Sequence, residues 1–362
     1  MRGLNPGPSA RLPARMYGIS EPDMILGWGE ELLLLRGPFS EQQSPDGGVP
    51  HVIWPCFEPS IGRRFLRPES WELCSAAEVW KIPEWRPTPC WTKPDPSLFF
   101  EQVKLLEKDF SCGMLKKLVP VYVWKAQVNY RETSLLPVLR RLLQNRGSSR
   151  KNLEGLYAWR KDGVFCVGDS PELLLSVSKD QLETMALAGT APISRGASLF
   201  ESSKDRIEHD WVVRAITESL LPRVSSLDIA PLALKETSTL AHLFTAITAK
   251  LSDSSAEGFL GLLQCLHPTP ALGCYPGTDR NMTRLLGLRN EAGVDNSFGA
   301  PIGCVWQGQF KAWVAIRNIM LRGEQLHLHT GCGVVSESVA SLEWEELKYK
   351  KEAICRNYSM TT

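Results

Sequence analysis

The chain contains 362 residues, of which 43% are hydrophobic and 22% are charged. Its 41 Lys and Arg side chains almost balance its 40 Asp and Glu side chains, so the formal net charge is +1. This balance excludes the strongly basic surface of a protein that binds nucleic acid or an anionic membrane. No segment approaches the roughly 18 consecutive apolar residues that a transmembrane helix requires. The length is compatible with one large domain or two ordinary ones.

The ten cysteines form neither a Cys-x-x-Cys pair nor a zinc-binding spacing. Cys166 and Cys304 lie between apolar neighbours, a pattern typical of reduced, buried thiols in a cytoplasmic protein. Residues 1–16 contain arginines and no acidic residue, but they lack the apolar segment of a secretory signal. We therefore expect a cytoplasmic protein.

The first quarter of the chain shows no clear periodicity. Five prolines between residues 82 and 96 exclude a helix there and disfavour a central strand. We therefore expect residues 1–96 to form an irregular segment wrapped on a catalytic domain of residues 97–362. In the first half of that domain the pattern predicts two helices and four strands, which span residues 97–112 and 133–146, and residues 118–124, 164–167, 173–177 and 184–187.

The clearest helix is predicted over residues 203–222, where apolar side chains repeat every 3.6 residues and Ser203 is the expected cap. The second half of the chain further predicts helices and strands, with helices at residues 239–250 and 341–355 and strands at residues 301–306, 311–319 and 325–329. Strands and helices alternate without βαβ regularity, which predicts an α+β fold rather than a doubly wound sheet.

Two predicted helices each carry a pair of carboxylates three residues apart. Asp205 and Glu208 form one pair, and Glu343 and Glu346 form the other. Residues at this spacing share one helix face. If the two faces oppose each other, their oxygens suit Mg²⁺, a hard cation. If they do not, these are two solvated helix faces.

Several basic and glycine-containing positions allow two interpretations. Lys350 follows Glu346 by four residues and could form a surface ion pair with it or bind a substrate carboxylate. Arg317 lies in an apolar run, where its charge requires an internal partner or an anionic ligand. The turns at Gly189 and Gly333 follow predicted strands and could present backbone N–H groups to a carboxylate or be ordinary turns.

Eight short segments, in this order, resemble the chorismate-utilising enzymes. They are SPELLL (170–175), LAGT (187–190), KDRIEHDWVV (204–213), TLAHL (239–243), LHPTPAL (266–272), AIR (315–317), GCGVV (331–335) and EWEELKYK (343–350). That superfamily includes anthranilate synthase component I, aminodeoxychorismate synthase component I, isochorismate synthase and salicylate synthase. The resemblance covers about residues 97–355. It implies an α+β fold like that of aminodeoxychorismate synthase, in which two antiparallel sheets are flanked by helices, and it implies dependence on Mg²⁺.

The resemblance also implies roles for individual residues. Lys117 matches the base that activates water, and Glu172 matches the general acid that protonates the departing hydroxyl. The metal ligands would be Glu208 and Glu346, with Asp205 and Glu343 beside them or acting through water. The residues that would contact the substrate are Gly189, Thr190, His242, Ala271, Phe298, Arg317, Gly333 and Lys350.

Four features favour one member of the superfamily, isochorismate synthase, an isomerase (hydroxymutase). Lys117 stands where ammonia-using anthranilate synthases typically have glutamine, and Phe298 stands where salicylate synthases have tyrosine. LHPTPAL and Ile316 also fit the isochorismate type. The expected substrate is chorismate alone, without a glutamine amidotransferase subunit, in a monomer or weak homodimer that serves menaquinone or siderophore synthesis. An aminodeoxychorismate, anthranilate or salicylate synthase remains an alternative, and Cys274 and Cys332 keep open a non-catalytic chorismate-binding protein.

Overall fold

The computed structural model describes residues 19–59, 62–128, 134–146, 152–253 and 255–362. The N-terminal residues 1–16 and the first position of the predicted helix 133–146 lie outside these ranges. Within them, no helix is both long and apolar enough to cross a membrane.

The described residues contain twenty-one strands. In chain order they are β1 (Met24–Trp28), β2 (Glu31–Arg36), β3 (Ser40–Gln42), β4 (His51–Ile53), β5 (Phe65–Arg67), β6 (Ser70–Ser75), β7 (Cys90–Trp91), β8 (Lys117–Leu118), β9 (Val121–Gln127), β10 (Leu156–Lys161), β11 (Val164–Asp169), β12 (Leu173–Ser178), β13 (Gln181–Pro192), β14 (Val224–Ile229), β15 (Ala233–Glu236), β16 (Leu240–Leu251), β17 (Cys274–Tyr275), β18 (Pro301–Trp306), β19 (Gln309–Val314), β20 (Asn318–Arg322) and β21 (Gln325–Gly331).

The same residues contain seven α-helices and two 3₁₀ helices. The α-helices are α1 (Ala76–Val79), α2 (Ser97–Ser111), α3 (Leu135–Arg146), α4 (Ser203–Leu220), α5 (Ala256–Leu266), α6 (Asp279–Glu291) and α7 (Ala340–Asn357). The 3₁₀ helices are Ile193–Phe200 and Leu221–Arg223. The cap of α4 is Ser202, whose hydroxyl accepts the backbone N–H of Asp205, so the predicted cap is displaced by one residue.

Two large antiparallel sheets form the body of the protein. One has the strand order β6-β2-β1-β10-β11-β20-β21-β9-β7, and the other has the order β14-β16-β13-β12-β19-β18-β4-β5-β3, with β15 beside β16. A small ladder joins β17 to β8. The prediction of an α+β fold built on two antiparallel sheets is confirmed.

Three apolar clusters arrange these elements in layers. Side chains of both sheets, among them Met24, Trp159 and Ile302, form a core between the sheets. Helices α2, α3 and α7 cover the outer face of the nine-stranded sheet, and α4 and α5 cover the outer face of the other. Burial of these apolar side chains is the main stabilising term of such a sandwich.

The prediction of an irregular segment over residues 1–96 is wrong for the part that the structure describes. Strands β1 to β7 and helix α1 lie there, and β1 pairs with β10 while β4 pairs with β18. The apolar run ELLLLR in β2 is buried at its four leucines on both faces, so it lacks the alternation that identifies a strand in a sequence. The division into residues 1–96 and 97–362 stays a prediction.

The predicted helix at residues 239–250 is also wrong, because these residues form strand β16. Thr245, Ile247 and Ala249 are buried while Thr248 and Lys250 are exposed, which is the period-two pattern of a strand. The β-branched side chains favour this conformation, and β16 is hydrogen-bonded along its length to β13.

The predicted strand at residues 311–319 is two strands in different sheets. The chain leaves β19 of one sheet and enters β20 of the other through residues 315–317, and Arg317 adopts a left-handed backbone conformation with φ of 58°. The Tyr157 hydroxyl donates to the Ile316 carbonyl at 2.9 Å, and the Asn318 amide donates to the Tyr157 oxygen at 2.8 Å. These bonds fix the backbone on both sides of Arg317.

Candidate active site

The candidate site is a cavity beside this crossing, between the strands of β13 and β16 and the helices α4 and α7. Its lining includes Glu172, Gly189, Glu208, His242, Arg317 and Lys350. The crossing contributes Arg317 to this lining. The guanidinium therefore lies at the point where the chain passes from one sheet to the other.

The four predicted metal ligands converge, although they come from two helices far apart in the sequence. The Nζ atom of Lys204 lies 2.9 Å from Glu208 Oε2 and 3.0 Å from Glu343 Oε1. It lies 3.6 Å from Asp205 Oδ1 and 3.9 Å from Glu346 Oε2. Helices α4 and α7 therefore do present their acidic faces to one another, and an ammonium group lies between them.

Charges and burial act in opposite directions on this acid cluster. Burial raises the pKa of Glu343 to about 7, because few groups solvate its charge and Glu346 lies beside it. Burial also opposes ionisation of Glu208, but Lys117 and Lys204 outweigh it and hold the pKa of Glu208 at about 2. Lys204 is only partly exposed, which disfavours its charge, yet Glu208 and Glu346 raise its pKa well above the ordinary value.

The donor chemistry of the cluster fits a hard divalent cation. All four groups offer carboxylate oxygens, and Glu343 Oε2 is buried without a hydrogen-bond partner in the described structure. As the side chains stand, no set of three or more His, Cys, Asp or Glu among the described residues is arranged as a metal centre. The Lys204 ammonium occupies the space among the carboxylates instead.

Lys117 is fully buried next to the cluster. It lies on β8, and its Nζ is 3.1 Å from Glu208 Oε1. Burial lowers the pKa of the Lys117 ammonium, although the adjacent Glu208 opposes that effect. Gly333 makes the contact sterically feasible, since a Cβ atom there would lie 2.0 Å from Glu208 Oε1 and 2.5 Å from Lys117 Cε.

Glu172 lies on the loop that enters β12. The Ser170 hydroxyl accepts the Glu172 N–H at 3.2 Å and donates to the Val314 carbonyl at 2.6 Å, so the loop is tied to β19. Burial raises the pKa of Glu172 to about 7, although the charges of Lys117 and Lys235 oppose it. A buried carboxyl with this pKa can carry a proton near neutrality.

His242 links β16 to the crossing. The Arg317 guanidinium can only donate, so it donates to His242 Nε2 at 3.3 Å. The ring proton therefore lies on Nδ1, which donates to the Thr190 hydroxyl at 3.1 Å. Burial and the charge of Arg317 hold the pKa of His242 well below its usual value, which keeps the ring neutral. Gly189, at a bulge in β13 with φ of 72°, lies next to this pair.

Arg317 has a hydrogen bond but no ion pair. Among the described residues, no carboxylate lies within 4.0 Å of its guanidinium, and burial lowers its pKa to about 10. A partly buried guanidinium without a counter-ion is less stable than a paired one, so an anion that binds to it gains a favourable interaction. Lys350 differs, because its Nζ lies 2.7 Å from Glu346 Oε1 and donates to the Gly331 carbonyl at 2.7 Å.

The apolar side of the cavity includes Ala271 and Phe298. The Phe298 ring stacks on the His329 ring, with centroids 5.0 Å apart, and burial lowers the pKa of His329 to about 3. The buried Arg289 donates to the Phe298 carbonyl at 2.7 Å and lies over the Phe57 ring. Phe298 is therefore held firmly from two sides.

The structure brings together nearly all the residues that the sequence singled out. Every predicted substrate contact lines the cavity, while Lys117, Asp205, Glu343 and Glu346 lie outside its lining, around Glu208. Sequence reasoning missed Lys204, Lys235 and His329. The signal for Lys204 was available, since it precedes Glu208 by four residues on α4 and so faces the same side. No sequence signal marks the other two.

Comparison with known proteins decides the family. Residues 81–358, most of the chain, match the protein family described as "Chorismate binding enzyme". The chain belongs to the chorismate-binding enzymes. The resemblance inferred from the eight short segments is thereby confirmed.

This chorismate-binding enzyme is similar to two curated relatives over about half of its length. It is 38% identical over 213 residues to the salicylate biosynthesis isochorismate synthase of Pseudomonas aeruginosa. This match covers 55% of the chain described here and 43% of the relative. It is 35% identical over 199 residues to isochorismate synthase EntC of Escherichia coli K12, and this match covers 52% of the chain and 50% of the relative. The matched region thus spans about half the length of these relatives.

Among solved structures, the chorismate-binding enzyme is similar to a putative 2,3-dihydroxybenzoate-specific isochorismate synthase, DhbC, from Bacillus anthracis. The TM-score is 0.75 at 21% sequence identity, over 94% of this chain and 96% of the other. At this identity the likeness concerns the fold, and it agrees with the two-sheet sandwich described above.

Proposed function

We propose that this protein is an isochorismate synthase, an isomerase that converts chorismate to isochorismate by adding water at C2 and releasing the hydroxyl at C4. One observation carries the proposal. A fully buried lysine with a lowered pKa and a buried glutamate with a pKa of about 7 lie in the same charged site. The isochorismate synthases among the relatives support the same reaction.

Lys117 and Glu172 are the proposed base and acid. In its neutral form, Lys117 takes a proton from the attacking water, and its lowered pKa makes that form accessible. Glu172, which holds a proton near neutrality, gives it to the hydroxyl that leaves C4. One water enters and one leaves, so the reaction is balanced and reversible without another reactant.

The substrate is proposed to bind through its two carboxylates. Arg317 supplies a partly buried guanidinium that has no carboxylate partner among the described residues, and Lys350 lines the same cavity. His242, itself hydrogen-bonded to Thr190, orients that guanidinium. The turns at Gly189 and Gly333 offer backbone N–H groups to a substrate carboxylate. Ala271 and Phe298 lie against the substrate ring.

We propose Mg²⁺ as the cofactor. Glu208 and Glu346 are the proposed ligands, with Asp205 and Glu343 beside them, because all four carboxylates converge on one point. A bound Mg²⁺ would neutralise a substrate carboxylate that otherwise faces this acidic cluster. Activity is expected to disappear in EDTA and to return with added Mg²⁺.

We propose that the enzyme acts without a glutamine amidotransferase partner. We also propose a cytoplasmic location. All ten cysteines lie in described residues and are free thiols, which supports a reducing compartment. A monomer or weak homodimer is proposed.

Incubation of the purified protein with chorismate and Mg²⁺, followed by chromatography of the products, tests the proposal. Isochorismate should form with little pyruvate or salicylate, and ammonium or glutamine should not change the product. Stoichiometric pyruvate would replace the proposal with a lyase, and an aminated product would replace it with an anthranilate or aminodeoxychorismate synthase. Chorismate binding in calorimetry without turnover would indicate a non-catalytic binding protein.

A further inference from the structure

Lys204 contacts four carboxylates and has no role in the proposed function. Its ammonium lies within 4.0 Å of all four carboxylates, from 2.9 Å at Glu208 to 3.9 Å at Glu346. These are the carboxylates proposed to hold the divalent cation. Two positive charges cannot share one small oxygen-lined space without strong repulsion.

We propose that Lys204 is the resident cation of this acid cluster in the metal-free protein, and that a divalent cation binds by displacing the Lys204 ammonium. The inference rests on the proposed function only in taking the same carboxylates as metal ligands. Lys204 then lowers the affinity of the cluster for the metal and holds the site assembled before the metal arrives.

The charge balance supports an exchange. In the resting protein, with Lys117 in its protonated form and the four acids ionised, four carboxylates face three ammonium groups, those of Lys117, Lys204 and Lys350. If a divalent cation replaces Lys204, its two charges and those of Lys117 and Lys350 balance the four carboxylates. If the cation is added beside Lys204, one positive charge is left in excess in a poorly solvated site. Removing the ammonium is therefore the electrostatically favoured response to metal binding.

The local structure makes the exchange feasible. Lys204 lies in the first turn of α4, and its side chain is 19% exposed while that of Glu343 is 3% exposed. A flexible four-carbon side chain at this position can move toward solvent without a change in the helix. The ammonium also leaves Glu343 Oε2 buried without a hydrogen-bond partner, so the cluster has acceptor capacity that Lys204 does not use.

Calorimetric titration of metal-stripped protein with Mg²⁺, in the absence of chorismate, tests the inference. Lys204→Met keeps the length of the side chain and removes its charge, so the dissociation constant should fall by roughly tenfold or more. Arg206→Met is the matched control, because it removes one positive charge from an exposed position of the same helix. Its dissociation constant should stay close to that of the wild type. An unchanged or weaker affinity in Lys204→Met would overturn the proposal.

A second measurement uses the wild-type protein and does not depend on whether a variant folds. Lysine acetylation, read by peptide mass spectrometry, should be slow at Lys204 without metal and faster once Mg²⁺ is bound. Lys250, whose side chain is 55% exposed, should react equally in both conditions. Equal protection of Lys204 in metal-saturated protein contradicts the displacement. Neither measurement involves turnover, so a protein that exchanges Lys204 for Mg²⁺ but makes no isochorismate would refute the proposed function alone.

Discussion

At the scale of single residues, burial shifts the pKa values of the two proposed catalytic groups in opposite directions. Glu172 is 4% exposed and Lys117 is fully buried, and in each case the loss of solvation disfavours the charged form. The result is a carboxyl that keeps its proton and an amine that gives up its proton more readily. The same physical effect therefore prepares an acid and a base for one reaction.

Replacement of Glu172 tests this assignment. Glu172→Gln keeps the size of the side chain but removes its transferable proton, so kcat for isochorismate formation should fall on the order of 10²–10⁴-fold. Chorismate binding, measured by calorimetry, should persist because Arg317 is unchanged. Glu183→Gln, at an exposed position of β13, is the control and should have wild-type turnover. A Glu172→Gln protein with near wild-type kcat would mean that another group protonates the leaving hydroxyl.

The pH dependence of turnover should report Glu172. The acid must be protonated, so kcat/KM should fall as the pH rises through about 7, the pKa of Glu172. The Lys235 ammonium donates to the Pro171 carbonyl at 2.8 Å, and its charge lowers the pKa of Glu172. In Lys235→Met the falling limb should therefore move to higher pH, while Lys235→Arg should restore it. A limb that does not move in Lys235→Met would separate Lys235 from the titrating group.

At the scale of elements, the turn that follows β21 allows α4 to approach β8. Gly333 lies where the Glu208 carboxylate of α4 meets Lys117 of β8, and there is no space for a side chain. The neighbouring Cys332 is buried in the same turn, and burial raises the pKa of its thiol well above the usual value. Cys332 thus places an uncharged thiol beside the acid cluster.

Gly333→Ala should disturb this junction. The new Cβ would overlap Glu208 Oε1 and Lys117 Cε, so the carboxylate and the lysine must separate. Overpacking of this kind costs about 1–3 kcal/mol of unfolding free energy, which thermal unfolding can measure. Turnover should be almost lost even where the variant remains folded, because the Lys117–Glu208 contact is broken. Gly287→Ala is the control, since a Cβ on that face of α6 meets nothing within 4 Å. Wild-type activity in Gly333→Ala would show that the Lys117–Glu208 contact is dispensable.

At the scale of the whole molecule, the sandwich buries histidines and glutamates whose pKa values burial shifts. Burial lowers the pKa of several histidines, to about 4 in His209 and about 3 in His329, and well below the usual value in His242 and His267. Burial raises the pKa of two glutamates, Glu172 and Glu343, to about 7. The two groups of residues affect stability in opposite directions.

The histidines should dominate the acid side of the stability profile. Between pH 4 and 6.5 the unfolded chain binds protons at these four histidines and the folded protein does not, so their contribution to stability falls as the pH falls. The two glutamates hold protons in the folded state and oppose this trend between pH 4.5 and 7. Unfolding near pH 5.5 should therefore take up protons net, which corresponds to a slope on the order of 1–3 kcal/mol per pH unit. Urea denaturation of metal-free protein at pH 5.5 and 6.5 measures this slope, and greater stability at pH 5.5 would contradict it.

The family, the α+β class and the residues predicted to form the candidate site all follow from the amino-acid sequence alone. These follow from short motifs and from helical periodicity, as at Glu208 and Glu346, which depend on local spacing. The tertiary structure decided what local spacing cannot. It made residues 240–251 a strand because β13 lies beside them, and it divided the predicted strand 311–319 because Arg317 lies where the chain changes sheets. It also placed Lys204 among carboxylates of α7 that lie more than a hundred residues away, since only packing of α4 against α7 brings those charges together.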